Sequence, residues 1–319
     1  MNFHQSSAFK DAIEATAEKL SLRPVLIEKD YWVTFVLKNL STSEYVHRVV
    51  FKGGTSLSKA YKCISRFSED VDLAIIPGEP LSQSQGKALL RNIDHTVGTG
   101  LTYVNGQKLG RNRTSIYDYP KTIEEKNFGV VKDKIIVEIN TFTNPIPHSS
   151  LPISSYIYDF LLGIGNTELI KLHALDPFHV NVLSLERTFF EKLLSLNRLS
   201  YLGIDRLKEK IRHFYDLHEL YYNTPLKDAI LADTSFDTLT LVRIDDESIP
   251  TFIGDWLGKP FSSSPLLSSL DETWKALIPT YQKELGDLVW TPLPAPDSIL
   301  TVMNMIKEFV ERYDKIHFV

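Results

Sequence analysis

A single cysteine, Cys63, in a chain of 319 residues leaves no intramolecular disulfide and no cysteine-based zinc site. No run of eighteen apolar residues occurs, and the opening MNFHQSSAFKDAIEATAEKL breaks its hydrophobic positions with charge, so neither a signal peptide nor a membrane-spanning helix is predicted. Surplus positive charge is missing as well: the formal net charge of −5 excludes a uniformly basic nucleic-acid binder. There is no internal repeat, no low-complexity tract and no GxxxxGK[ST] phosphate loop. These absences point to a cytoplasmic protein with no membrane contact, in which a metal would be held by oxygen. The 43% hydrophobic content is enough for a sizeable core and favours two domains.

The apolar periodicity predicts two helices over residues 6 to 40, with Pro24 near the start of the second. VHRVVF reads as a short strand running into Gly53 and Gly54. Thr55 and Ser56 are natural helix starters for SLSKAYKCI, and VDLAII reads as a buried strand. A helix over SQSQGKALLRNIDHTV follows, then strands at LTYV, RTSIYDY and KIIVEINTF, with Asn105 and Gly106 marking a turn. From about residue 184 the pattern is almost wholly helical. The expectation is an α+β chain: a mixed-sheet domain with N-terminal helices over 1–180, then a helical domain over 181–319.

The stretch FKGGTSLSKAYKCISRFSEDVDLAI carries the first chemistry. On a strand, Asp70 and Asp72 project from one face while Val71, Leu73 and Ile75 take the other. Adjacent carboxylates repel unless something positive lies between them, and magnesium favours such hard oxygens together with substrate phosphates. A lone DxD is also compatible with a solvated strand edge. Gly53 and Gly54 permit close backbone approach, and a helix opening at Thr55 and Ser56 offers amides suited to phosphate. In KIIVEINTF, Glu138 shares a face with Ile136 and Asn140; among β-branched neighbours it needs a cross-strand cation or a metal. Lys192 falls inside the apolar stripe of SLERTFFEKLLSLNRL and must snorkel, pair with an acid or meet a phosphate. Asp216 lies off the main stripe of RHFYDLHEL.

Together these stretches resemble the AbiEii/AbiGii toxin family of nucleotidyltransferases, which includes the MenT-type toxins, within the DNA polymerase β-like superfamily. IEKDYWVTFVLKNL resembles the family's N-terminal helix. GGTSLSKAY with RFSEDVDLAI fits its first motif, placing Arg66, Ser68, Asp70 and Asp72 on RxSxDxD. IIVEIN is similar to the second, SLERTFFEKL to the third with Ser184, Thr188 and Lys192, and RHFYDL to the fourth with Asp216. The chain departs from the superfamily in having GGT where GS is frequent and glutamate where the second motif often has aspartate.

The resemblance implies transfer of a nucleoside monophosphate from an NTP to an acceptor, blocking translation when that acceptor is the 3′ end of tRNA, with an AbiEi-like antitoxin as partner. Asp70, Asp72 and Glu138 would hold Mg2+, or Mn2+ in its place. Gly53, Gly54, Thr55 and Ser56 would cradle the triphosphate, supported by Arg66, Ser68 and Thr188. The helical domain would contribute Lys192 and Asp216 to the cleft.

Other readings stay open. A protein hydroxyl is an alternative acceptor. Arg212 and His218 fit the loose R-x4-6-H spacing of HEPN-type ribonucleases, and a non-catalytic scaffold would bind NTP without turnover. Basic runs at Lys108, Arg111, Arg113, Lys121, Lys126, Lys132, Lys134 and at Arg198, Arg206, Lys208, Lys210, Arg212 read as solvated faces or as nucleic-acid contacts.

Overall fold

The computed structural model describes residues 2–78, 82–109, 111–124, 132–227 and 229–318. Lys126, one of the basic run, lies outside them. The chain divides into two compact units, one formed by residues 1–62 and 67–183, the other by 63–66 and 184–319.

The first unit is built on seven strands: β1 (Val49–Lys52), β2 (Asp70–Ile75), β3 (Thr102–Leu109), β4 (Asn112–Asp118), β5 (Ile135–Asn140), β6 (His148–Ile153) and β7 (Phe178–Leu183). They form one mixed sheet in the order β3-β4-β5-β2-β1-β7-β6, with β2 parallel to β5 and β1 parallel to β7. Among the described residues it is accompanied by the α-helices α1 (Ala8–Leu20), α2 (Pro24–Ser41), α3 (Gly53–Lys59), α4 (Gln83–Val97), α5 (Tyr156–Gly163) and α6 (Thr167–Leu172). Alternation decides the sheet's inner face. Val71, Leu73, Ile75, Val137 and Ile139 join apolar residues of α1, α2, α4 and α5 in one core, and the opposite face carries the acids.

Two expectations change here. Asn105 and Gly106 do not turn the chain but lie inside β3, beside a register shift between Tyr103 and Asn105. A Cβ on Gly106 would come within 2.4 Å of the Thr114 carbonyl, so this glycine marks close strand approach at an irregularity. Strands β6 and β7, which periodicity did not announce, complete the sheet. HSSLPI holds a proline that only an edge strand tolerates well, and β6 is that edge.

Helix α2 is buried nearly all round, including the consecutive charges Glu28, Lys29 and Asp30. The Glu28 carboxylate accepts from the amides of Thr122 and Ile123. Lys29 donates to Glu69 and to the Lys132 carbonyl. Asp30 pairs with Lys59 and accepts from the Tyr156 amide at 2.8 Å. Burial pushes the carboxyls of Glu28 and Asp30 up and the Lys29 ammonium down, in each case against the pull of these partners.

The second unit is helical: α7 (Leu185–Ser200), α8 (Ile204–Lys208), α9 (Ile211–Tyr222), α10 (Phe236–Glu247), α11 (Pro265–Ser268), α12 (Leu270–Gly286) and α13 (Pro296–His317). Ser184 caps α7 by accepting from the Arg187 amide. Residues 63–66 are an outlier in sequence but belong here. The Ser65 amide donates to the Tyr215 hydroxyl, its carbonyl accepts from the Trp290 amide, and Arg66 forms a bridge with Val289. Cys63 is a buried free thiol that burial pushes up to about 12. No helix among the described residues is long and apolar enough to cross a membrane.

Candidate active site

The register of three central strands sets the candidate site of the first unit. Asp72 stands opposite Glu138 on β5, Asp70 opposite Ile136, and Lys52 opposite Asp72 on β1. Directly opposed residues share a face, so Lys52, Asp72 and Glu138 form a row across the strands, with Asp70 one step along. The two aspartates and Glu138 are half-buried, each on the face turned away from the apolar core.

The glycine turn makes room for this row. Gly53 has φ +78°, a conformation that side chains resist, and a Cβ there would sit 2.0 Å from Asp72 Oδ2. Glycine is therefore required both by the backbone and by the carboxylate beside it. Lys52, not Thr55 or Ser56, occupies the N-cap of α3, and the helix begins at Gly53. The hydroxyls instead fasten the first turn. Thr55 donates to the Asp70 carbonyl at 2.6 Å while its Oγ1 meets Ser68 Oγ at 2.9 Å, and Ser56 donates to the Gly53 carbonyl. Helix, turn and acid strand are thus tied together by side chains whose own oxygens are already engaged.

The donor set suits a hard divalent cation. Asp70 Oδ1 is buried with no hydrogen-bond partner, an expensive state for a carboxylate oxygen and one that a cation would relieve. Among the described residues no three His, Cys, Asp or Glu side chains stand together as a ready-made metal cluster. Two carboxylates completed by substrate phosphates are the usual way magnesium is held, and Asp70 and Asp72 offer that arrangement, with Glu138 in register beside them.

In the second unit, Lys192 pairs with Asp216 Oδ2 at 2.7 Å, so its place in an apolar stripe is accounted for by an acid partner. Arg66 grips the same carboxylate with two bonds, Nε to Oδ1 at 2.6 Å and a terminal nitrogen to Oδ2 at 2.7 Å. Asp216 has no exposed surface, although the helical pattern set it off the main stripe. Burial alone would raise its pKa, but the Arg66 guanidinium and the Lys192 ammonium outweigh it and hold the carboxyl well below the usual range. Thr188 is buried and donates to the Ser184 carbonyl at 2.9 Å.

Most described members of the basic runs have local partners. Arg113 pairs with Asp94, Lys121 and Lys134 with Asp118, Arg206 with Glu209, Lys208 with Asp205 and Arg198 with Asp246. His218 has both ring nitrogens engaged, by Glu219 at 2.9 Å and Ser298 Oγ at 2.7 Å, and six positions along a helix place it roughly 120° from Arg212. That geometry gives the ribonuclease pairing no support. Sequence reasoning passed over Lys52, whose signal was its place directly before the glycine pair, and Glu69, whose partner Lys29 comes from α2, forty residues earlier.

A family model for the nucleotidyl transferase AbiEii toxin of type IV toxin–antitoxin systems matches residues 36–301. Among solved structures the chain resembles MenT4, a nucleotidyltransferase toxin from Mycobacterium tuberculosis, with a TM-score of 0.59 and 19% identity over 94% of this chain and 89% of that one. At that identity the likeness is one of fold. No curated protein matches the chain.

Proposed function

The chain belongs to the AbiEii nucleotidyl transferase toxin family of type IV toxin–antitoxin systems, and from that premise we propose that it transfers a nucleoside monophosphate from an NTP to the 3′ end of tRNA, halting translation. The observation that carries this reading is the row of Asp72 and Glu138 in register, with Asp70 holding a buried, unpartnered oxygen beside them.

In the proposed reaction a hydroxyl oxygen of the acceptor attacks the α-phosphorus. The new O–P bond forms as the bond to the α,β-bridging oxygen breaks; pyrophosphate leaves with that electron pair and the hydroxyl proton passes to water. Asp70, Asp72 and Glu138 are the residues that would hold Mg2+ or Mn2+, which when bound supplies positive charge to the attacking and leaving oxygens. Gly53 keeps the space over Asp72 open, and the amides of Gly54, Thr55 and Ser56 open α3 toward phosphate. By the family resemblance, Lys192 would supply positive charge to the triphosphate. An antitoxin of AbiEi type is the expected partner.

Purified protein incubated with magnesium, total tRNA and each α-labelled NTP tests this against Asp70→Ala/Asp72→Ala. Label on tRNA from the wild type alone is the expected result. Label on protein, an acceptor that the net charge of −5 leaves open, would move the activity to protein nucleotidylation by the same acids. NTP binding without any transfer would sink the enzymatic reading.

A further inference from the structure

Glu28, Lys29 and Asp30 follow one another in α2, and all three are withdrawn from solvent. At about 100° per residue their side chains leave the helix in three directions, and each meets a different segment of the first unit. Lys29 is the one directed at the acid strand. It pairs with Glu69, the residue before Asp70, and donates to the Lys132 carbonyl, while Glu69 also accepts from the Lys132 amide at 2.9 Å. The Lys29 side chain has no exposed area, and Asp70 lies within its electrostatic reach.

Stability alone does not account for this pair. Desolvating two ions offsets most of their attraction, and apolar residues of similar volume often serve as well. The pair bears on its neighbour instead, because Glu69 is the residue before Asp70 and without Lys29 would add an uncompensated negative charge next to it.

We propose that Lys29 sets the charge beside the cation-binding acids: by compensating Glu69, the residue before Asp70, it leaves the metal to meet the charge of Asp70 and Asp72 without a further negative charge next to them. This rests on the reading of Asp70 and Asp72 as metal ligands.

Binding of Mn2+ to the full chain, followed by electron paramagnetic resonance without substrate, separates the possibilities. The proteins compared are the wild type, Glu69→Gln, Lys29→Met and the double variant, with Asp70→Ala marking loss of the site. Glu69→Gln leaves an uncompensated ammonium beside Asp70 and should raise the Kd for Mn2+ about tenfold, whereas Lys29→Met leaves an uncompensated carboxylate and should lower it several-fold. The double variant, neutral at both positions, should return to within about twofold of wild type.

Shifts of opposite sign support the proposal, since a merely structural pair would not produce them. Equal Kd values in every folded variant, or shifts of one sign that follow the melting temperature, overturn it while leaving the metal site standing. A wild type that binds no more Mn2+ than Asp70→Ala overturns the metal reading and this inference with it. If Lys29→Met does not fold, Glu69→Gln and the double variant decide between the same outcomes.

Discussion

In the first unit each buried ammonium meets one carboxylate, Lys29 with Glu69 and Lys59 with Asp30, while Glu28 is held by the amides of Thr122 and Ile123; in the second, the carboxylate of Asp216 is shared by Arg66 and Lys192. The depth of burial is similar, yet the electrostatic outcomes are opposite. Around α2, desolvation prevails and moves Glu28, Lys29 and Asp30 toward their neutral forms. At Asp216 two cations prevail over desolvation and keep the acid ionised. The ratio of charges, more than the depth, decides ionisation.

The largest effect expected is at Asp216. Asp216→Asn leaves two cations facing a neutral amide and should cost about 3–5 kcal/mol in a denaturant titration. Asp30→Asn should cost less, about 3 kcal/mol, because it leaves one buried ammonium, that of Lys59, rather than two cations without a carboxylate, and the Tyr156 amide keeps an acceptor. A reversed order would break the comparison.

Acid sharpens it. The Asp216 value is depressed on folding, so its contribution is present above the ordinary carboxylate value near ~3.9 and disappears as pH falls through the lower folded value. The Glu28 value is raised, so the unfolded chain ionises first and stability is lost as pH rises from ~4.3 through the folded value. Unfolding free energies across this range should show Asp216→Asn converging on wild type only in stronger acid. Glu28→Gln should gain on wild type as pH rises.

The smallest stability effect belongs to Lys192→Ala, since the two bonds from Arg66 keep the buried Asp216 carboxylate paired. The KM for NTP should rise clearly instead. A stability loss matching Asp216→Asn with unchanged KM would assign Lys192 to packing alone.

How much of this could be read from the sequence depended on whether a residue's role was local. The shared face of Asp70 and Asp72 follows from a period of two, and the same argument placed Glu138 on the face away from Val137 and Ile139. The helices α1, α2 and α4 followed from their apolar spacing. Strand β7 did not, since the short FHVNVL joins the sheet by pairing with β1, more than a hundred residues earlier, and with β6. Asn105–Gly106 reads locally as a turn, but close approach to Thr114 decides it. The burial of Asp216 was invisible because helical periodicity counts apolar residues, whereas Asp216 is buried by two cations, one of them from residue 66. Lys52 needed the register of β1 on β2 before its place beside Asp72 could be seen.

The four residues 63–66 also limit how such a protein can be cut and inherited. Since they lie early in the chain but are held by Tyr215, Asp216, Val289 and Trp290, a truncation at residue 183 strips Arg66 of its carboxylate, and a fragment starting at 184 lacks the guanidinium that Asp216 grips. Neither half is a cassette. A recombination breakpoint between the units would join an arginine from one lineage to an aspartate from another, so the pair must travel together through any exchange of toxin genes.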